Sequence, residues 1–232
     1  MNVVFFCSEV VGYTVGMFNA ISEYNKGINI HVVFFDKKRK SMYDLSAKNE
    51  RLKFYGRSNF DENGLYNILN DVKPSILYLP GWMDKYYIIS SKKYKRNNPE
   101  VKVICGIDDQ WRGTLRQNVG ILYFKIFYRN LFDFLWVSGK PQYHFAQRMG
   151  YDNYHILSNL YAADTRFFYK RARVKKRIVF LGRFVPLKGI LNLFKAYEKL
   201  PESVKKEWPL VLIGDGAQKD EILDRKSTRL NS

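Results

Sequence analysis

Short, continuous apolar runs recur along the chain, each followed by a turn and then by a stretch with helical spacing. The first is VVFFC (residues 3–7); Gly12 and Gly16 follow, a helix-like stretch runs through Asn25, and INIHVVFF (28–35) starts the next run. LKFY (52–55) precedes a helix over about 61–70, ended by Lys73-Pro74, and SILYLP (75–80) supplies another strand. VKVIC (101–105), a long helix, FLWVS (134–138), a helix near 142–149 and YHIL (154–157) continue the alternation.

Strands this apolar leave no face for water, and their alternation with helices predicts an α/β fold with a doubly wound parallel sheet covered on both sides. Such sheets bind ligands beyond the carboxyl ends of their strands, which directs attention to residues 9–16, 80–84, 106–116 and 138–142. SNLYAADTRFFYKRARVKK (158–176) then breaks the alternation with small, polar and basic residues. A strand over 178–181, a helix over 187–200 and a strand within PLVLIGDG (209–216) begin a second unit of the same kind. The expected division is a Rossmann-like domain at 1–160, a linker at 161–176 and the start of a second Rossmann-like domain at 177–223.

Charge changes this picture more than composition does. A formal net charge of +17 on 232 residues calls for a polyanionic partner: nucleic acid, an anionic membrane surface or a phosphorylated substrate. It also has a compositional reading, since Lys, Asn, Ile, Tyr and Phe are favoured by AT-rich codons. No nucleic-acid reading motif accompanies the charge, so nucleic acid is not an expected partner. Cys7 and Cys105 lie in strand-like runs and are expected to be buried, reduced thiols of a cytoplasmic protein. The sequence has neither a run of apolar residues long enough to span a bilayer nor the pattern of a signal peptide.

The chemistry concentrates in LGRFVPLKG (181–189), where a buried strand gives way to a helix. Gly182 ends the strand, Pro186 sits near the helix start, and the turn presents backbone N–H groups with a positive helix dipole. Arg183 and Lys188 add fixed charge at the same mouth, a combination suited to a diphosphate, although a plain strand–helix turn in a basic protein has the same spacing.

LGRFVPLKGILNLFKAYEKL, followed by WPLVLIGDGAQKDEIL, resembles the start of the C-terminal domain of group-one retaining glycosyltransferases of the GT-B fold, which are glycosyltransferase family 4-like. The upstream segment is similar to that family's crossing between domains, through Val137-Ser138, Gly150, Asn159, Asp164 and Phe167. The resemblance implies a nucleoside-diphosphate sugar as donor on the second domain and a glycan or lipid-linked acceptor on the first. It further implies transfer with retention, no metal and no cofactor, and Arg183 and Lys188 stabilising the departing diphosphate.

Other positions admit two readings. Gly12 and Gly16 lie where the family has a glycine-rich loop near the donor phosphates, and both also read as turn glycines. In CGIDDQWRGTLRQ (105–117) the resemblance puts Asp108 where the family has a histidine. Asp108 and Asp109 read as catalytic groups orienting acceptor or donor sugar, or as a cap for the following helix. Arg112 and Arg116 read as acceptor-phosphate ligands. His144 and His155 are expected to be a helix residue and a strand residue. In GILYFKIFYRNLFDFLWV (120–137), Lys125, Arg129 and Asp133 fall on one helical stripe. This segment reads preferentially as a helix buried against the sheet with one wet edge, and otherwise as a face for peripheral contact with an anionic membrane, with KKYKR (92–96) beside it.

The final residues, DRKSTRLNS (224–232), match an in-frame translation of a sequencing-library adapter, so a C-terminally truncated, inactive copy of the parent enzyme is expected, with exposed apolar edges in its second domain. The alternatives are a non-enzymatic anion-binding protein and a GT-B nucleotide-sugar epimerase.

Overall fold

A computed structural model describes residues 1–36, 50–162 and 175–223. The expected tail (224–232), most of the linker (161–176), Asp164 and Phe167 lie outside these residues. The chain divides into two compact units, Met1–Phe168 and Tyr169–Ser232.

The first unit is a parallel sheet of seven strands: β1 (Asn2–Cys7), β2 (Asn29–Phe34), β3 (Leu52–Gly56), β4 (Ile76–Leu79), β5 (Lys102–Ile107), β6 (Phe134–Val137) and β7 (Ile156–Leu157). Their order is β3-β2-β1-β4-β5-β6-β7. Five helices connect them: α1 (Gly12–Tyr24), α2 (Glu62–Val72), α3 (Lys85–Asn97), α4 (Leu115–Phe127) and α5 (Lys140–Arg148). Successive strand residues point to opposite faces. On β1, Val4 and Phe6 join the core under α2, α3, α4 and α5, while Val3, Phe5 and Cys7 join the core under α1. Right-handed crossovers dictate this division, because a step toward β2 and a step toward β5 must cross on opposite faces. Coverage is therefore unequal: Ile76, Tyr78, Ile104, Phe134 and Trp136 are only half-buried on the α1 side.

Local chemistry fixes the helix ends. The Asp61 side chain accepts from the Gly64 N–H at 2.8 Å, Asp84 from the Tyr87 N–H at 2.8 Å and Thr114 from the Gln117 N–H at 3.3 Å. Lys73, in the left-handed conformation, closes α2 just before Pro74. Tyr87 stacks on Phe6 at 4.3 Å and its hydroxyl donates to the Cys7 carbonyl at 3.2 Å, tying α3 to β1. Cys7 and Cys105 are free and buried, and burial pushes the Cys7 thiol up to about 12, so it stays protonated.

Two expectations are corrected here. α3 was not anticipated as a helix. The polar stripe of the long helix does not exist, because α4 stops at Phe127: Arg129 packs over the Tyr151 ring at 4.2 Å and Asp133 opens β6. Asp133 accepts from Lys95 Nζ at 2.8 Å and from the Val103 N–H at 2.7 Å, a junction between α3, β5 and β6.

The second unit pairs β8 (Ile178–Leu181) with β9 (Leu210–Ile213) in parallel, with α6 (Ile190–Glu198) and α7 (Glu202–Glu207) between them. Phe184, Ile190 and Ile222 form its buried core, joined by Phe180, Phe194 and Leu212. Val179, Leu181 and Ile213 face solvent, the apolar exposure the sequence led one to expect.

Beyond the strands the pairing continues as a stitched loop. The Gly182 N–H donates to the Ile213 carbonyl at 3.0 Å, the Phe184 N–H to the Asp215 carbonyl at 2.8 Å and the Gln218 N–H to the Phe184 carbonyl at 3.0 Å. Gly214 (φ +152°) makes this approach feasible, since a Cβ there would collide with the Gly182 carbonyl oxygen. Gly214→Ala should destabilise the second unit by about 1–3 kcal/mol. Hydrogen exchange checks it: the Gly182 and Phe184 amides lose protection while those of β1 and β4 keep theirs.

A second prediction concerns pH. His31 Nδ1 lies 2.9 Å from the Tyr55 hydroxyl, and burial, reinforced by the charge of Lys53, lowers its pKa from the ordinary 6.5. The folded state thus holds His31 neutral, and the unfolded state gains a proton first as pH falls through 6.5. This contribution to stability is present above that pH and lost below it. Urea midpoints should fall more steeply on acidification in the wild type than in His31→Gln.

Candidate functional site

The carboxyl ends of all seven strands share one edge, and the strand order reverses between β1 and β4. α1 leaves this switch point on one face and α3 on the other, opening the crevice where ligands of such sheets bind. Gly12 opens α1, directly after the extended Val11, so its N–H faces the region beyond β1. Gly16 lies inside α1; the loop expected to hold both glycines ends at Val11, held by the Val11 N–H donating to Thr14 Oγ1 at 2.8 Å.

Asp108 and Asp109, just past β5, diverge. Asp108 Oδ2 accepts from the Tyr161 hydroxyl at 3.2 Å, and its main-chain oxygen accepts from Gln142 Nε2 at 3.0 Å. The Tyr13 and Tyr161 rings meet edge to face at 6.0 Å. Burial, and next the Asp108 carboxylate, raise the Tyr161 hydroxyl above its ordinary pKa, so it remains a donor. The half-buried Tyr78 is raised likewise, burial first, with Asp108 among the contributing charges. Asp109 turns toward Gln117 Nε2 at 3.4 Å and toward the Arg112 guanidinium at 3.9 Å. Neither aspartate caps α4; Thr114 does. Arg112 and Arg116 are both exposed.

Tyr13, Tyr78, Tyr161 and Gln142 were not singled out by the sequence. Asn159 explains how Tyr161 arrives: it takes the left-handed conformation (φ 63°) after β7, a conformation asparagine tolerates, and the Leu160 N–H then bonds to the Val137 carbonyl at 3.0 Å. His144 lies on α5 and His155 in the 3-10 turn before β7, bonded to Asp152 at 2.7 Å.

On the second unit, Arg183 belongs to the stitched loop and Lys188 ends the 3-10 turn Pro186–Lys188. The helix expected from residue 187 begins as α6 at Ile190, after Gly189 in the left-handed conformation (φ 65°). Both cations are exposed, and among the described residues neither is paired with a carboxylate. Asp215, by contrast, is held by the Gly216 N–H and Lys219, which lower its pKa. Among the described residues no three His, Cys, Asp or Glu side chains come together to hold a metal ion, and no helix is long and apolar enough to cross a membrane.

Comparison with known proteins sets these features in context. Residues 163–232 match the model of the Glycosyl transferases group 1 family. No curated protein matches the chain in sequence. A UDP complex of the Anabaena protein HepE is similar over 100% of this chain and 66% of its own, with a TM-score of 0.65 and 11% identity. A putative UDP-N-acetylglucosamine 2-epimerase from Listeria monocytogenes is similar over 90% of this chain and 61% of its own (TM-score 0.53, 10% identity). A UDP complex of MnaA from S. aureus is similar over 92% and 62% (TM-score 0.51, 14% identity). The chain thus spans slightly less than two thirds of the length of these structures. Its architecture is the Rossmann-like α/β architecture of the GT-B fold, and its C-terminal segment carries the sequence pattern of group 1 glycosyl transferases.

Proposed function

We propose that the chain is part of a retaining, nucleotide-sugar-dependent glycosyltransferase of the family 4-like type, which transfers a sugar to a cell-surface glycan or a glycolipid. The observation that carries this reading is the pair of exposed cations Arg183 and Lys188, unpaired with a carboxylate among the described residues, on a hydrogen-bonded turn within the segment that matches group 1. A diphosphate bound there would meet Arg183 as a planar donor fork and Lys188 as a point charge. These charges strengthen their hold as the bond from the anomeric carbon to the phosphate oxygen breaks and the diphosphate leaves with the electron pair. The acceptor oxygen then bonds to the same face of the sugar, and its proton passes to the departing diphosphate oxygen.

The first unit would hold the acceptor. Asp108 keeps a lone pair beyond the one used by Tyr161 and can orient a substrate hydroxyl, with Tyr13 and Tyr161 as an aromatic wall beside it. Arg112 and Arg116 would contact an acceptor phosphate.

The similarity to 2-epimerases supports a second reading, rearrangement at the sugar's C2. Nuclear magnetic resonance of UDP-N-acetylglucosamine incubated with the protein and no acceptor distinguishes the two, because only the epimerase inverts C2.

Calorimetric titration with UDP tests the main reading. Arg183→Ala and Lys188→Ala should each weaken UDP binding about tenfold or more, as expected when a charge-assisted hydrogen bond is removed. Unchanged UDP affinity in both variants, together with salt-sensitive DNA binding that survives them, would overturn it in favour of a general anion-binding protein.

A further inference from the structure

α4 buries one residue, Phe124, and turns most of its other apolar side chains outward. Leu115, Val119, Leu122, Tyr123, Ile126 and Phe127 are between 48 and 79% exposed. Their spacing is i, i+4, i+7, i+8, i+11 and i+12, so they form one continuous stripe along three turns. The helix expected to lie buried with a single wet edge therefore presents its largest apolar surface to solvent.

The stripe's frame is mainly basic, with Asp109 facing Arg112 at 3.9 Å and Asp133 paired with Lys95 at 2.8 Å at its two ends. From 110 to 132 the chain contains Arg112, Arg116, Lys125 and Arg129 and no acidic residue. From 85 to 99, which includes α3, it contains Lys85, Lys92, Lys93, Lys95 and Arg96, again with no acidic residue. The two segments meet in space, because Lys92 Nζ sits 4.9 Å from the centre of the Tyr128 ring at the end of α4. Lys92, Lys93 and Arg96 are all exposed, and Lys93 lies over the Tyr66 ring of α2 at 4.1 Å, so the basic surface runs from α4 across α3.

We infer that α4 and the basic side of α3 form a docking surface for an anionic lipid bilayer. The apolar stripe would enter the headgroup boundary while the lysines and arginines meet lipid phosphates. A second copy of the chain fits this face poorly, since an isologous contact would bring like charges together. A nucleic acid would meet the charges and leave the stripe in water. The inference does not depend on the transfer chemistry; it places the first unit at a surface where lipid-linked acceptors reside.

Vesicle co-sedimentation of the 232-residue chain tests it. Phosphatidylcholine vesicles with about 30% phosphatidylglycerol should retain the chain, and pure phosphatidylcholine should not. Leu122→Asp with Ile126→Asp should weaken retention about tenfold or more, and so should Lys92→Glu with Lys93→Glu. All four positions are exposed, and unchanged urea midpoints verify that the variants fold. Leu181→Asp, which alters an exposed leucine of the second unit, should bind like the wild type. The inference is overturned by absent binding to the anionic vesicles, by full binding of the Leu122/Ile126 variant, or by an equal loss in Leu181→Asp. Sedimentation showing a lipid-free dimer that the Leu122/Ile126 variant dissolves overturns it too, in favour of a self-association face.

Discussion

Parallel pairing of every strand, with a single reversal of the chain's path between β1 and β4, decides where everything else in the first unit can lie. It puts all carboxyl ends on one edge and sends α1 and the later helices to opposite faces. Asp108 beyond β5, Tyr13 on α1 and Tyr161 beyond β7 come from distant parts of the sequence. They meet because the sheet delivers each of them to that edge. Among the described residues, the same rule leaves one face with four helices and the other with one.

On the four-helix face, α4 is the helix with the fewest buried residues among those described. Its hold on the sheet is concentrated in Phe124, which stacks parallel to Phe132 at 5.8 Å and meets Trp82 edge-on at 5.0 Å. Such contacts are each worth about 0.5–1.5 kcal/mol beyond the area they bury. One deeply seated ring can anchor a helix whose remaining surface is committed elsewhere. The stripe is then a property of how the helix is seated as well as of its composition.

Most strands were legible because runs such as VVFFC and VKVIC admit little else, and the doubly wound class followed from their alternation. α3 was not, since its buried positions include Ser90 and Ser91, whose polarity breaks the apolar pattern that marks a helix. The end of α4 was hidden for the opposite reason: apolar residues continue through the turn at 128–133 into β6, and no glycine or proline marks the change. In the second unit, the turn that carries Arg183 and Lys188 was legible from local spacing. The contact between Tyr161 and Asp108 was not, because 53 positions separate the two residues and the left-handed turn at Asn159 joins them. Asp109 carried the same sequence signal as its neighbour, yet the strand's end turns the two side chains to different partners.

The stitched loop of the second unit separates what the backbone must keep from what side chains are free to change. Its path depends on main-chain bonds and on the lack of a Cβ at Gly214 and at Gly216, where an added carbon would lie 2.6 Å from the Phe184 carbonyl oxygen. None of these requirements involves the side chain at 183 or 188. The proposed diphosphate would meet a main chain already hydrogen-bonded, so the ordering it imposes would fall mainly on two long side chains, each with about 2 kcal/mol of rotamer entropy. Mutational drift can therefore exchange the surface side chains of this turn, while the glycines that shape it are held fixed by geometry.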